Sequence, residues 1–321
     1  MSVQYDIMQH PTQHVWDFWY YYDQKEKLFH VLFLNADRSL VATEQHHFSA
    51  QLGYGTTKDF IQINWIADDV LCANPSGWDN SSIWSGDVVK TKNGYLLFYT
   101  SRNRETDDGF TQNIGAAISQ DFIHWERIDD FRLQPDDVIY EPRSVTGDSS
   151  IHAWRDPFLF LQDGCPYMLL TAKTKDLPIE KKGVVALLKS QDGGLLHWDI
   201  LPPVVAPGWY SEMEVTQLFK NPKGGFDIAF STWAKFDAAP NTQKQGGLQS
   251  ITLDNPVSSY FPSEKANVLL SEKSGLYAAR VIPELGGEIV GFDIAQGGIR
   301  RSGVSADLLE VNRSFNDFTV K

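Results

Sequence analysis

Along the chain, apolar residues gather into short runs that end in small or polar ones. FHVLFLNA from Phe29, GYLLFYTS from Gly94 and PYMLLTAK from Pro166 are three of these. Aromatic, β-branched and aliphatic residues dominate each, the composition of a strand packed within a sheet. A second pattern follows each run: GYGTTKDFIQINW at Gly53 to Trp65, GAAISQDFIHW at Gly115 to Trp125, and GVVALLKSQDGGLLHW at Gly183 to Trp198. Each reads as a strand, a step rich in Ser, Thr or Lys, an Asp, and then apolar residues closing on Trp. With Asp59, Asp121 and Asp192 as markers, the unit recurs about every 60 to 70 residues. Four strands in such a unit, repeated, predict the blades of a β-propeller. GGFDIAFSTWA from Gly224, with GLQSITL after it, and GLYAARVIPELGGEIVGFDI from Gly275 supply two more units. The expectation is an all-β, five-bladed β-propeller. The repeated Asp and Trp are read as turn and packing residues, because Asp bonds its own backbone in tight turns and Trp fills gaps between sheets. Joints such as NPSGWDNSS, LPPVVAPGW and NPKGG read as loops between strands or blades, so residues 1–321 are expected to form a single domain.

Composition narrows the function. A chain of 321 residues can bury a large core, and 42% hydrophobic with 21% charged residues excludes disorder and fibrous repeats. Ten Trp within a 13% aromatic fraction provide both packing and flat faces on which sugars stack. The net charge of −13 repels phosphate backbones and anionic headgroups, so neither nucleic acid nor a membrane is expected as partner. A neutral small molecule fits better, and oligomeric state is not legible. Cys72 and Cys165 cannot build a disulfide framework and are expected as free, buried thiols. No basic start followed by an apolar stretch opens the sequence, and no window approaches 18 consecutive apolar residues, which together predict a cytoplasmic protein. No Gly-x-Ser-x-Gly elbow, P-loop, Cys-x-x-Cys pair or His-Glu-x-x-His helix is present, so no cofactor or metal is expected. His46 and His47 are adjacent rather than at ligand spacing and read as loop or strand residues, and the pairs Asp68–Asp69 and Asp136–Asp137 read as solvated turns rather than calcium ligands.

In a propeller the innermost strands of all blades line one axial funnel, so acids distant in sequence can meet there. The candidates are acids set in apolar runs, where an unpaired carboxylate is costly. Asp17 lies in HVWDFWYYY between Trp16 and Trp19; Asp156 lies in HAWRDPFLF beside Arg155, whose planar fork can hold a carboxylate or a hydroxyl. Glu214 lies in WYSEMEVTQLF, with Glu212 two residues earlier on the same strand face. Singly, each has a bland alternative: an Asp turn, an Arg–Asp ion pair, a surface Glu. Together they fall near the first strands of blades one, three and four.

Those segments resemble the β-fructosidase superfamily, glycoside hydrolase families 32 and 68. VWDFW is similar to the nucleophile motif of the levansucrase branch, WRDP matches the Arg-Asp-Pro motif of both branches, and EVTQLF aligns with the Glu-Cys-Pro-Asp motif of family 32. IWSGDVV, at Ile83 to Val89, resembles the Trp-Ser-Gly pocket motif, and GLYAARVIPELGGEIVGFD resembles the fifth-blade Tyr-Ala stretch. Departures are visible too. The Asn-Asp-Pro-Asn-Gly pattern is absent, Val215 and Thr216 stand where Cys and Pro are usual, Asp87 replaces a Ser, and no C-terminal β-sandwich is expected. The resemblance implies a retaining glycoside hydrolase or fructosyltransferase acting on β-fructofuranosides such as sucrose or short fructo-oligosaccharides. Asp17 would be the nucleophile, Glu214 the acid/base with a raised pKa, and Asp156 the transition-state stabiliser; Glu212 is the alternative acid. Trp16, Trp19, Trp84, Ser85, Arg155 and Glu212 would shape the furanose pocket. Two other readings stay open: an inverting arabinofuranosidase- or xylosidase-like propeller, whose carboxyls stand about 6.5–9.5 Å apart rather than the 5–5.5 Å of a retaining pair, and an inactive carbohydrate-binding propeller.

Overall fold

A computed structural model describes residues 5–141, 153–240 and 243–320. Its strands form five antiparallel sheets set as blades around an axis. Blade one holds β1 (Gln13–Asp23), β2 (Leu28–Asp37), β3 (Gln51–Thr57) and β4 (Asn64–Leu71). Blade two holds β5 (Ile83–Thr91), β6 (Gly94–Arg102), β7 (Gln112–Ser119) and β8 (Trp125–Arg127). Blade three holds β9 (Trp154–Gln162), β10 (Cys165–Lys173), β11 (Gly183–Ser190) and β12 (Trp198–Val205). Blade four holds β13 (Glu214–Lys220), β14 (Phe226–Thr232), β15 (Gly247–Leu253) and β16 (Asn267–Ser271); blade five holds β17 (Leu276–Ile282), β18 (Glu288–Asp293) and β19 (Ile299–Ser305). A last short strand, β20 (Leu309–Glu310), pairs with β13.

The apolar runs visible in the sequence are the middle strands. β6, β10 and β14 have neighbouring blades on both faces and are buried almost throughout, so they read as continuous apolar stretches rather than as alternation. Outer strands such as β4 keep a wet face and alternate. There is no single core: one apolar cluster fills each blade interface. Phe98, Leu159 and Leu170 belong to the one between blades two and three, and Phe18, Val31 and Val290 to the one that joins blade five to blade one.

The repeated Asp motif is a turn between the third and fourth strands. In blade two, Ser119 Oγ accepts from the Asp121 and Phe122 amides, Asp121 Oδ1 accepts from the Ile123 and His124 amides, and Phe122 takes a positive φ. Thr57 and Asp59 do the same around Phe60 in blade one. The chain ends close the ring on opposite faces. At the top, Met8 bridges to Ile299 of blade five. Underneath, residues after β19 run below blades four, three and two: β20 pairs with β13, the Leu161 amide donates to the Asn312 carbonyl at 2.7 Å, Arg313 grips Asp87, and Lys92 N–H donates to the Phe318 carbonyl at 2.8 Å. Both cysteines are free, as expected, but Cys72 is exposed and Cys165 only half-buried. Among the described residues no helix is long and apolar enough to cross a membrane.

Candidate active site

Every innermost strand is irregular at the same height, near its N-terminal end. The register of β1 slips between Val15 and Phe18, that of β5 between Trp84 and Gly86, and that of β13 between Glu214 and Gln217. In β9 the slip falls between Arg155 and Phe158, in β17 between Tyr277 and Arg280. A bulge inserts residues that no longer pair across the ladder, and so re-aims their side chains. Three bulges carry non-glycine residues at positive φ: Asp156 at 58°, Val215 at 53° and Ala278 at 44°. Such backbone costs about 1–3 kcal/mol per residue, strain that persists only where the surroundings impose it. Pro157 fits here because a bulge needs no ladder donor. Gly86 is required by contact: a Cβ there would stand 2.2 Å from the Phe98 carbonyl and 3.1 Å from the Trp19 ring.

The bulges bring the three acids together. Asp17 accepts a hydrogen bond from Ser85 Oγ at 2.7 Å. Asp156 Oδ2 accepts from Thr171 Oγ1 at 2.8 Å and from the Val215 amide at 3.0 Å, while the Asp156 amide donates to Thr100. Arg155 lies in the middle. Its Nη2 donates to Glu212 Oε2 at 2.9 Å and to Glu214 Oε1 at 2.8 Å, and its Nε stands 3.6 Å from Asp156 Oδ2. The Tyr277 hydroxyl donates to the other oxygen of Glu214, and its ring stacks on Trp233 with centroids 4.0 Å apart. Lys173, 2% exposed, pairs with Glu212.

Electrostatics follow from this packing. Burial, reinforced by the charge of Asp156, pushes the Asp17 carboxyl up to about 7, against the pull of the Ser85 hydrogen bond. Glu214 is raised as well: burial and the charges of Glu212 and Asp156 outweigh Arg155 and the Tyr277 hydroxyl. Glu212 goes the other way, because Arg155 and Lys173 overcome its burial and hold it below the ordinary range. Burial opposes charge on Arg155 too, yet Glu212, Glu214 and Asp156 keep it firmly protonated. Asp17 and Glu214 are thus the carboxyls of the site that burial and neighbouring like charge dispose toward holding a proton.

The pocket residues expected from the sequence divide into groups. Ser85 and Arg155 touch the acids directly. Trp84 is half-buried beside Ser85; its indole N–H donates to the His47 carbonyl at 2.8 Å and Arg102 lies over its ring. Trp16 is 5% exposed, stacked on His14 and edge-on to His46 and His47, which lie on a short 3-10 helix rather than in a loop or strand. Trp19 requires correction: it is fully buried in the cluster between blades one and two, so it packs and offers no surface to a sugar. Glu212, also expected against the substrate, is 8% exposed and taken up by Arg155 and Lys173. Asp87 is not at the pocket either; it faces the lower axis, where Arg313 meets both its oxygens at 2.7 and 2.8 Å. Lys173 and Thr171 were not anticipated, and Tyr277, which opens a blade's first strand just as the acids do, entered only through the fifth-blade Tyr-Ala resemblance and not as a site residue. A cavity of ≈ 610 Å³, lined by Asp87, Gln217, Arg280, Glu284 and Arg313 among others, lies at the opposite end of the axis from the acids.

Residues 27–243 match the glycosyl hydrolases family 32 N-terminal domain. The chain belongs to glycosyl hydrolase family 32. Asp156 and Glu214 fall inside the matched span of this family 32 chain, and Asp17 and Tyr277 outside it. The chain is similar, at 28% identity over 158 residues, to the sucrose-6-phosphate hydrolase of Bacillus subtilis (strain 168); the match spans 49% of this chain and only 29% of that protein. In fold it resembles the β-fructofuranosidase catalytic domain of Microbacterium saccharophilum K-1, with a TM-score of 0.68 and 18% identity, covering 94% of this chain and 79% of that one. It also resembles the inulosucrase of Halalkalicoccus jeotgali bound to kestose, with a TM-score of 0.68 and 15% identity, covering 96% and 92%. At these identities the structural likeness concerns the fold, and it confirms the five-bladed propeller.

Proposed function

We propose that residues 1–321 act as one catalytic propeller, a retaining glycosidase or fructosyltransferase that takes β-fructofuranosides such as sucrose or short fructo-oligosaccharides. The observation carrying this reading is the convergence of Asp17, Asp156 and Glu214 from three different blades: the buried Arg155 guanidinium holds Glu214 and lies beside Asp156, and both of those carboxyls act electrostatically on Asp17. In the first step an oxygen of Asp17 bonds to the anomeric carbon while the glycosidic C–O bond breaks, and Glu214 gives its proton to the departing oxygen. In the second, Glu214 takes a proton from water or from an acceptor sugar hydroxyl, whose oxygen displaces Asp17 and frees the carboxylate. Asp156, fixed by Thr171 and the Val215 amide, accepts hydrogen bonds from ring hydroxyls of the furanosyl cation-like transition state. Ser85 steadies the ionised form of Asp17. Glu214 rather than Glu212 suits the acid role, since Glu212 is locked in its charged form by two cations. The protein named sucrose-6-phosphate hydrolase supports the sucrose class of substrate.

Chromatography of sugars released from sucrose, raffinose and inulin tests the reading. Fructose is expected from at least one of them, with Asp17→Asn and Glu214→Gln each lowering kcat by about a thousandfold or more. Turnover within threefold of the parent in either variant would end the assignment of that residue.

A further inference from the structure

Glu212 and Lys173 are a buried ion pair next to the acids, and nothing in the two-step reaction uses them. Lys173 ends β10, and its ammonium reaches Glu212 Oε1 and the Ser211 carbonyl. The other oxygen of Glu212 takes Arg155 Nη2, the same nitrogen that donates to Glu214. One donor nitrogen is thus divided between a carboxylate that must stay charged and one that must cycle its proton. We propose that Glu212 and Lys173 are positioning residues, a charge clamp that fixes how much of the Arg155 guanidinium reaches Glu214 and so sets when Glu214 holds its proton. This rests on the acid/base role proposed above for Glu214.

The reasoning is electrostatic. A guanidinium devoted to Glu214 alone would hold that carboxyl ionised and spoil it as an acid. Glu212 draws off part of that charge and adds a like charge of its own. Lys173 in turn seats Glu212 and offsets part of its negative charge, while the ion pair with Arg155 at 2.9 Å keeps Glu212 ionised even without the ammonium. The groups facing Glu214 are Arg155 and Asp156 on β9, Glu212 on its own segment, Tyr277 on β17, and Asp17, itself raised by Glu214, on β1. Beyond Lys173, whose carbonyl accepts the Glu141 amide, Glu141 and Lys182 form a separate pair.

The test is the pH dependence of kcat/KM for sucrose hydrolysis in the parent, Glu212→Gln, Lys173→Met and Lys173→Arg, with folding checked by thermal denaturation. Removing the negative charge of Glu212 makes Glu214 release its proton sooner, so the alkaline limb moves down by about one pH unit. Removing the cation moves the limb up by a similar amount, and Lys173→Arg keeps it near the parent. A merely structural pair would lower rates in both variants without separating their limbs. Folded variants with coincident limbs, or with limbs displaced in one direction, overturn the proposal. If either single variant fails to fold, the charge-neutral double Glu212→Gln/Lys173→Met replaces it and is expected to move the limb down, with an unmoved limb overturning the clamp. Should the parent not act on fructosides, the functional reading fails separately, and carbon-13 titration of the Glu214 carboxyl in the same variants still decides the clamp by the same opposite shifts.

Discussion

At the scale of single residues, the site combines groups that the fold does not favour. Asp156, Val215 and Ala278 occupy positive φ, and Asp17 is held where its ionised form is disfavoured. The second of these has a consequence for stability. A carboxyl whose folded pKa lies above its unfolded one adds stability below the unfolded value, near 3.8, and loses it as pH rises through the folded value, about 7. Asparagine at position 17 has no such ionisation to suffer. Asp17→Asn is therefore expected to unfold at a higher temperature than the parent at pH 8, with the difference shrinking as pH falls toward 4. Thermal denaturation across that range checks it, and a variant less stable than the parent at pH 8 would contradict the burial of Asp17. Residue identity alone revealed much of this: acids inside apolar runs stood out because unpaired burial is costly. It did not reveal facing. Trp19 lies two positions from Asp17, yet the bulge between Val15 and Phe18 breaks the simple alternation and leaves it in the core.

At the scale of elements, the middle strands were legible because a strand between two blades must be apolar on both faces. The Asp-turn motifs were legible because the same Ser or Thr and Asp bonds recur in successive blades. Lys173 was hidden for a related reason: a polar residue at the end of an apolar run is what any strand end looks like. The segment after β19 was hidden as well, since its anchors are scattered: backbone bonds to distant blades, one ion pair, and single apolar residues such as Val311 and Phe315 that enter the clusters between blades. That ion pair explains Asp87, 2% exposed, as an anchor for the strap rather than a determinant of the sugar pocket. Arg313→Ala leaves the Asp87 charge buried without its partner and is expected to cost about 3 kcal/mol in denaturant unfolding. The paired replacement Asp87→Asn with Arg313→Met removes both charges, keeps a side-chain acceptor for the Leu159 amide, and is expected to recover most of that loss. A double variant no better than the single one would show that the loss does not come from an unpaired buried charge.

At the scale of the whole molecule, function follows from closure. Five sheets that each lack a sufficient core of their own bury their faces against one another, and the ring so formed aims the bulged ends of its innermost strands at one place. The repeat period disclosed the ring, and the order of the acids along the chain agreed with it; the shared guanidinium and its Lys173–Glu212 neighbour exist only in the folded chain, because they link β9, β10 and the approach to β13. The family 32 match begins at residue 27, after Asp17, so the nucleophile role proposed for Asp17 rests on the resemblance of VWDFW and on its place near Asp156 and Glu214, and deserves the most direct trial. That trial is to quench the parent with acid during turnover of sucrose, digest it, and weigh the peptides. The account predicts a hexosyl ester on the peptide carrying Asp17, absent in Asp17→Asn; an adduct on another residue, or active enzyme that yields none together with product of inverted configuration, would contradict it.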